Sequence, residues 1–295
     1  MSYFLDIVII GISLGMVYAL IALGISFIYS GLDLVHFAHP EFYMAGAYIG
    51  LVIVTAGLPF PLALVLSMIA TGLLGAMIER VFYRKLTTVG GGLSVAGMGM
   101  IICGFGISVI MQNSVFLIFG AYPSKLPVDF GQAISLGEIA LPRGYVWIFV
   151  ISLLLMLSLT IFLKKTRIGL AVRTVALSKT TASLVGINVP LYISVIFAIA
   201  CALAAAGGVL GSSVNFIYAQ MGYVIGLKAF AAAVIGGLGS LPGAIVGGAI
   251  LGLTESLGAG YLKSEYKDVY PFILLILVLL FRPYGILGRG IKDKA

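Results

Sequence analysis

The sequence has few charged residues and almost no chemically reactive side chains. Only 9% of its 295 residues are charged, and it has two cysteines, two histidines and one tryptophan, while 61% of the residues are hydrophobic. A soluble domain carries about 25% charged residues, so this composition excludes one. The 39 glycines are typical of membrane helices, because glycine lets two helices approach closely. The composition predicts an all-α polytopic membrane protein.

The same scarcity excludes several kinds of site. Cys103 and Cys201 lie in apolar runs without the spacing of a metal or redox motif. The glycines of Gly236–Gly243 are not followed by the lysine of a phosphate-binding loop, and no Ser/His/Asp or Cys/His arrangement occurs. We therefore expect no catalytic residue, no metal, no cofactor and no enzyme activity in this chain.

Length and charge placement indicate how the chain crosses the membrane. At about 20 residues per helical span, 295 residues allow about eight to ten transmembrane segments in a single domain, residues 1–295. The net charge of +7 comes from Lys and Arg at the ends of apolar runs, which is the pattern of cytoplasmic loops rather than of nucleic-acid binding. The first apolar run reads as a retained helix. The basic tail, with Arg282, Arg289, Lys292 and Lys294, predicts a cytoplasmic C-terminus.

The longest polar interval runs from Lys164 to Pro190 and holds five cations and no acid between two apolar spans. This charge predicts that the interval is cytoplasmic. One interpretation is an amphipathic surface helix that only joins two spans, and the other is a short helix that docks on a cytoplasmic partner. In the second interpretation the apolar residues at helical spacing form a contact ridge, with Ala182 at the turn before Gly186. The ridge residues are Ala171, Val172, Val175 and Ala176.

Two stretches predict broken helices. Gly31–Tyr48 places four polar residues and Pro40 between two apolar runs, and Gly226–Ser256 has two short apolar halves around a Gly-rich turn. Irregular backbone at membrane depth is tolerated only where it is buried in protein or lines a cavity. Interrupted segments at matching positions indicate pseudo-symmetric halves with a transport path between them. Residues 120–145 form the predicted outer loop, which is long enough for a small hairpin.

Residues of these two breaks, together with Asn215 of the polar stretch that precedes the second, are the candidate path residues. Three roles are open for His39 and Glu41: hydrogen bonding to the broken backbone, direct contact with substrate, and proton relay. Lys228 and Glu255, farther along, either pair with each other or extend to the membrane interface. The complete set of candidate path residues is His36, His39, Glu41, Tyr43, Asn215, Gly237, Gly239 and Ser240.

Four motifs resemble those of a known family. They are Phe37–Met44 (FAHPEFYM), Arg167–Arg173 (RIGLAVR), Thr181–Val189 (TASLVGINV) and Gly236–Ala244 (GGLGSLPGA). In this order and over nearly the whole chain, they are similar to the H-type permease subunits of branched-chain amino acid ABC importers.

The resemblance implies a multi-pass permease of a bacterial-type inner membrane that forms the substrate path with a second, M-type permease. Its other partners would be two cytoplasmic ATPases, which hydrolyse the ATP, and an external binding protein for Leu, Ile or Val. The interval 164–190 would hold the helix that couples the permease to the ATPases. The implied coupling residues are Arg167, Gly169, Ala171, Val172, Arg173, Val175, Ala182 and Gly186.

Two departures from the family pattern bear on the substrate. The family usually has Asn where this chain has His36, and Gly where it has Pro40. Closely related permeases import urea and short-chain amides, so such a permease is an alternative. A second alternative, from another class, is an autonomous channel or proton-coupled carrier that uses His36, His39 and Glu41.

Overall fold

The computed structural model describes residues 2–88, 93–136 and 139–288. Three cations of the predicted basic tail, Arg289, Lys292 and Lys294, lie outside these ranges. The described chain is helical apart from its loops and one short hairpin. The helices are α1 (Ser2–Leu32), α2 (His39–Thr55), α3 (Phe60–Ile78), α4 (Arg84–Thr88), α5 (Leu93–Phe119), α6 (Arg143–Lys165), α7 (Arg167–Leu177), α8 (Lys179–Leu184), α9 (Val189–Ser212), α10 (Met221–Gly236), α11 (Leu241–Tyr261) and α12 (Tyr270–Phe281).

The lengths of the helices confirm the predicted membrane protein. Within the described ranges six helices are long and apolar enough to cross a bilayer, and α10 and α12 are shorter apolar helices. Together they make eight, within the predicted eight to ten. The six long ones are Tyr3–Leu32, Phe60–Leu86, Gly97–Phe119, Arg143–Lys165, Val189–Ser212 and Leu241–Tyr261.

Two irregular elements interrupt the helices. A π-helical turn, Glu79–Tyr83, joins α3 to α4, and such turns are frequent at functional positions. The predicted outer loop carries the hairpin that its length allowed, with β1 (Ile134–Leu136) antiparallel to β2 (Ile139–Leu141). In the same loop, the main chain of Ser124 exchanges two hydrogen bonds of 2.8 Å with that of Ile217, between α9 and α10.

The helix packing confirms the pseudo-symmetric halves. Helices α1, α2 and α3 of the first half correspond to α9, α10 and α11 of the second. Helix α1 packs along α11, and its counterpart α9 packs along α3. Helix α2 packs against α9, and its counterpart α10 packs against α1. The pairs α2–α3 and α10–α11 also correspond, while α1 and α9 meet at the centre. This arrangement matches the break at residues 33–38 with the loop at residues 213–220. The Gly-rich turn at residues 237–240, which the sequence paired with the first break, instead corresponds to the turn at residues 56–59.

Glycines bring α2 and α9 into backbone contact. A Cβ added at Gly208 would lie on the main-chain carbonyl of Tyr43, and one added at Gly46 would overlap Ala205. Glycine at both places allows the helices to pack without intervening side chains. The contact fixes α2 against the centre of the protein, and with it the polar residues at the start of α2.

Several contacts define one face of the protein, which we call the basic side. Helix α6 ends there with Lys164 and Lys165, and α7 and α8 follow. Lys179 of α8 lies 3.7 Å from Asp33, just after the end of α1. Residues 285–288 pack on the turn between α10 and α11, and that turn contacts Tyr29 near the end of α1. The hairpin and the loops at residues 56–59, 213–220 and 262–269 lie on the opposite side.

Candidate functional site

The first break returns the chain into the interior. Asp33 adopts a left-handed conformation (φ 60°), and α2 then begins at His39 with Pro40 in its first turn, where a missing N–H costs nothing. The His39 ring occupies the space beside Gly24. Gly24 lies eight residues before the end of α1, or about 12 Å at 1.5 Å per residue. Helix α2 therefore starts at depth, as the sequence predicted.

His36 and His39 are packed among other side chains. The His36 ring lies 4.8 Å from the ring of Tyr83 and 5.1 Å from that of Phe197, measured between centroids. His39 is fully buried, with the main-chain carbonyl of Ile21 beside it. In the described part of the chain neither ring is hydrogen-bonded to the other or to Glu41. The two rings therefore pack the break against α1, α9 and the π-helical turn.

Glu41 faces a cavity of about 450 Å³ between α2, α5 and α10, here called the Glu41 cavity. Ser108 Oγ and Gln112 Nε2 donate hydrogen bonds of 2.8 and 2.7 Å to Glu41 Oε1. Glu41 Oε2 has no hydrogen-bond partner among the described residues. The other walls are mostly apolar and comprise Ile25, Val35, Phe37, Phe105, Val109, Leu227 and Phe230, with His36 and Tyr223.

Two glycines of α10 make room for the start of α2. A Cβ added at Gly226 would overlap the ring of Pro40, and one added at Gly222 would lie 2.7 Å from Glu41 Oε2. Gly222 and Gly226 are four residues apart and so lie on the same face of α10. Pro40, one of the two departures from the family pattern, is therefore accommodated by Gly226, which lies directly opposite it.

A second cavity, of about 480 Å³, opens toward the opposite side and is here called the Lys228 cavity. Lys228 Nζ lies 2.7 Å from Glu255 Oε1 and 2.6 Å from Asp268 Oδ1. The hydroxyl of Tyr18 donates to Glu255 Oε2 over 2.9 Å. Of the two alternatives for Lys228 and Glu255, the structure shows the pairing. Asp268, in the loop before α12, joins this pair, and sequence spacing gave no sign of it.

The candidate path residues fall into three places. His36 and Glu41 line the Glu41 cavity, whereas Tyr43 and Asn215 line the Lys228 cavity. His39 lies between helices. Gly237, Gly239 and Ser240 are not among the residues lining either cavity. They form the turn on the basic side, where Gly237 packs on Gly285 and Gly288, Gly239 contacts Tyr29, and the Ser240 hydroxyl accepts from the main-chain N–H of Gly243.

Sequence reasoning did not identify Ser108 and Gln112. They stand one helical turn apart in the largely apolar α5, and residues at i and i+4 share one helix face. Two polar side chains on one face of a membrane helix are a signal that could have indicated a polar partner on a neighbouring helix.

The basic interval forms two short helices rather than one. The Thr166 hydroxyl caps α7 by accepting from the Gly169 N–H at 2.9 Å, and the Ser178 hydroxyl caps α8 by accepting from the Thr181 N–H at 3.2 Å. Ser and Thr are favoured at this position because they satisfy a free N–H of the first turn. Gly186, at φ 81°, ends the segment. We call residues 166–186 the two-helix segment.

The predicted contact ridge of this segment faces inward. Ala171, Val172, Val175 and Ala182 are buried, because α7 packs on α1, α6 and α9. Gly169 lies so close to the backbone of α6, at Phe162 and Leu163, that a Cβ would overlap it. The ridge therefore anchors the segment to its own chain. The apolar residues that the segment exposes are Ile168, Leu170, Leu177, Leu184 and Val185.

A polar cluster connects the end of this segment to the π-helical turn. The hydroxyl of Ser194 donates to the buried carboxylate of Glu79. Arg84 donates to the carbonyl oxygen of Pro190 at 3.1 Å and lies 3.2 Å from Glu79. The start of α9 is thereby tied to the π-helical turn and to α4.

Comparison with known proteins gives these features a context. A family model described as the branched-chain amino acid transport system / permease component matches residues 7–279. The chain belongs to this family. It is 40% identical over 309 aligned residues to the high-affinity branched-chain amino acid transport system permease protein LivH of Salmonella typhimurium and also to that of Escherichia coli K12, covering 99% of this chain and 98% of each relative. The corresponding protein BraD of Pseudomonas aeruginosa is 39% identical with the same coverage.

A solved structure shows the same fold. The permease resembles a chain of PsaBC from Streptococcus pneumoniae in complex with Fab, with a TM-score of 0.52 and 14% sequence identity over 100% of this chain and 96% of that one. The family model and the LivH and BraD relatives confirm the family resemblance drawn from four motifs, and the protein is a multi-pass membrane permease.

Proposed function

We propose that this chain, as a single transmembrane domain, is a permease subunit of an ATP-driven ABC importer for branched-chain or related hydrophobic amino acids. The near-complete match to LivH and BraD permeases supports this function. The observation that carries it is the Glu41 cavity, where a carboxylate and mainly apolar walls meet inside the helix bundle. In this proposal ATP is hydrolysed by partner ATPases, and an external binding protein delivers the substrate.

The surroundings of the Glu41 cavity support a second permease as partner. Beside Glu41, α5 and α10 expose Phe105, Val109 and Tyr223, each with more than half of its surface accessible. A charged side chain next to lipid costs roughly 2.5–3.5 kcal/mol at the bilayer centre on insertion scales. A second permease packed on α5 and α10 would cover this edge of the cavity and complete the path.

The two-helix segment supports a docking site for an ATPase. Leu177, Leu184 and Val185 are 75%, 83% and 65% exposed on the basic side, where Lys and Arg favour the cytoplasm. Clustered exposed apolar residues mark protein–protein contacts. The proposed contact with the ATPase therefore consists of these three exposed residues and not of the inward-facing ridge. The exposed Arg167 and Arg173 lie at its border.

Leu184→Asp is expected to weaken ATPase capture by at least about tenfold, because loss of a central interface contact costs about 2 kcal/mol or more. Pull-down of the ATPases by the purified permease measures it. The control is Leu262→Asp, the same change at a 71% exposed leucine on the opposite side, which should keep normal capture. Normal capture by Leu184→Asp would mean that the two-helix segment only joins α6 to α9.

Sidedness in the inner membrane gives a separate test. In a Cys103→Ala, Cys201→Ala background, Lys179→Cys should resist an impermeant maleimide in intact cells and react in inverted vesicles, because its basic segment is cytoplasmic. Tyr122→Cys, in the predicted outer loop and 88% exposed, should show the reverse pattern. Residues 285–288 pack on the basic side, so the C-terminus is proposed to be cytoplasmic as well. Labelling of Lys179→Cys from outside would contradict this orientation.

A further inference from the structure

The two oxygens of the Glu41 carboxylate have different surroundings. Oε1 accepts from Ser108 and Gln112, whereas Oε2 has no donor within the described part of the chain. A buried acceptor without a donor is unfavourable, because it has lost its hydrogen bonds to water. The next step rests on the proposed transport function: we propose that Glu41 Oε2 binds the ammonium group of the amino acid as it passes through the Glu41 cavity.

The helices hold this oxygen ready for a ligand. The two hydrogen bonds from α5 fix the carboxylate plane, and Oε2 is directed at Gly222 of α10, where a Cβ would come within 2.7 Å. The absence of a side chain at Gly222 leaves room for Oε2 itself against α10, and the proposed donor reaches this buried oxygen from the Glu41 cavity, which the Glu41 side chain lines. An N–H donor entering there completes the hydrogen bonding of the carboxylate, and a cationic donor gives the stronger, charge-assisted bond.

The rest of the cavity suits the hydrocarbon part of the same substrate. Phe105 and Val109 of α5 face Leu227 and Phe230 of α10 across the space. A volume of about 450 Å³ lies within the range of small-molecule sites, roughly 300–1,000 Å³. An aliphatic side chain packed among these residues leaves water, while its ammonium group meets Glu41.

The cavity lacks a cation for the other end of an amino acid. No Lys or Arg is among the described residues that line it. The carboxylate of a zwitterion bound to Glu41 therefore faces the side that α5 and α10 leave exposed. It follows that the second permease supplies the positive or donor group, so that each chain contacts one end of the substrate.

Glu41→Gln tests the role of Oε2 with little change in shape. The amide oxygen of glutamine still accepts from Ser108 and Gln112, but its NH₂ group replaces Oε2 and cannot accept a hydrogen bond. In proteoliposomes with the complete transporter, binding protein and ATP, leucine uptake is expected to fall at least tenfold while the amount of assembled transporter stays normal. Asn113→Ala, a polar change on α5 outside the cavity lining, should leave uptake unchanged.

Other outcomes separate the alternatives. If Glu41 only braces α2 against α5, Glu41→Gln transports normally while Ser108→Ala and Gln112→Leu are defective, which overturns the proposal. If wild-type complexes take up isobutyramide but not leucine, the site binds a neutral amide N–H and the ammonium assignment is wrong. If Glu41→Gln does not assemble, Gly222→Ala, whose Cβ blocks Oε2, must lose uptake in assembled complexes, and normal uptake by it refutes the proposal. Leucine uptake by wild-type liposomes without ATPases would instead refute the proposed importer function.

Discussion

Lys228→Met is expected to reduce the yield of folded permease more than tenfold. The substitution keeps an unbranched side chain but removes the charge that lies between Glu255 and Asp268. Glu255 is buried and, among the residues that the structure describes, would keep only the hydrogen bond from Tyr18. Removing one partner of a buried ion pair costs about 3–5 kcal/mol, because the remaining charge is left without compensation. Gel filtration of the fluorescently tagged permease in mild detergent measures the folded fraction.

The ion network offers two comparisons for this prediction. Lys267→Met removes an exposed lysine that lines the same cavity, and its yield should stay within about twofold of the unaltered protein, because an exposed charge contributes about 0–1 kcal/mol. The double variant Lys228→Met, Glu255→Gln removes the uncompensated buried charge as well and should recover much of the loss. An unchanged yield for Lys228→Met alone would show that the network does not hold α10, α11 and the loop before α12 together.

Gly252→Leu is expected to prevent α1 and α11 from packing. Gly11 and Gly15 of α1 face Gly248 and Gly252 of α11, and a Cβ added at Gly252 would overlap the backbone of Gly15. This is a contact between two GxxxG segments, in which close approach supplies the dispersion energy that lipid cannot supply between apolar helices. Overpacking costs about 1–3 kcal/mol where side chains can adjust, and more is expected here because the opposing atoms are backbone.

Thermal unfolding of the purified permease measures the effect of this substitution as a lower midpoint. Gly106→Leu is the matched control, since a Cβ at Gly106 of α5 meets nothing within 4 Å. Both changes replace helical glycine by leucine, so they share the gain in helix propensity. Equal midpoints for the two variants would mean that α1 and α11 can separate enough to admit a large side chain.

Local chemistry was sufficient to predict the membrane class, the helices and the first break. Apolar runs of about 20 residues have no stable alternative to a helix in lipid, because every backbone N–H and C=O must be satisfied within the segment. Pro40 and the polar residues around it cannot continue such a run, and α1 does end before them. The sequence also predicted that the basic interval lies outside the membrane, because placing its five cations within the membrane is costly.

The orientation of the helix faces was not predictable in this way. In a soluble helix an apolar stripe marks the buried face, but in α5 or α10 nearly every position is apolar. Lipid and protein interior are equally apolar, so hydrophobicity does not distinguish them. The predicted contact ridge shows the consequence: Ala171, Val172 and Val175 were correctly placed on one face, but that face packs on the chain itself.

By itself, the sequence determined a helical membrane protein with a basic cytoplasmic-type segment, a break at depth and the motifs of a permease family. Only the tertiary structure decided which polar groups meet. Ser108 and Gln112 lie about 70 positions after Glu41 in the chain, yet both donate hydrogen bonds to it. Lys228 of α10 meets Asp268 in the loop before α12. The physical reason is that a buried polar group must find a partner wherever the helix packing places one, and that packing depends on close contacts between glycines far apart in the chain.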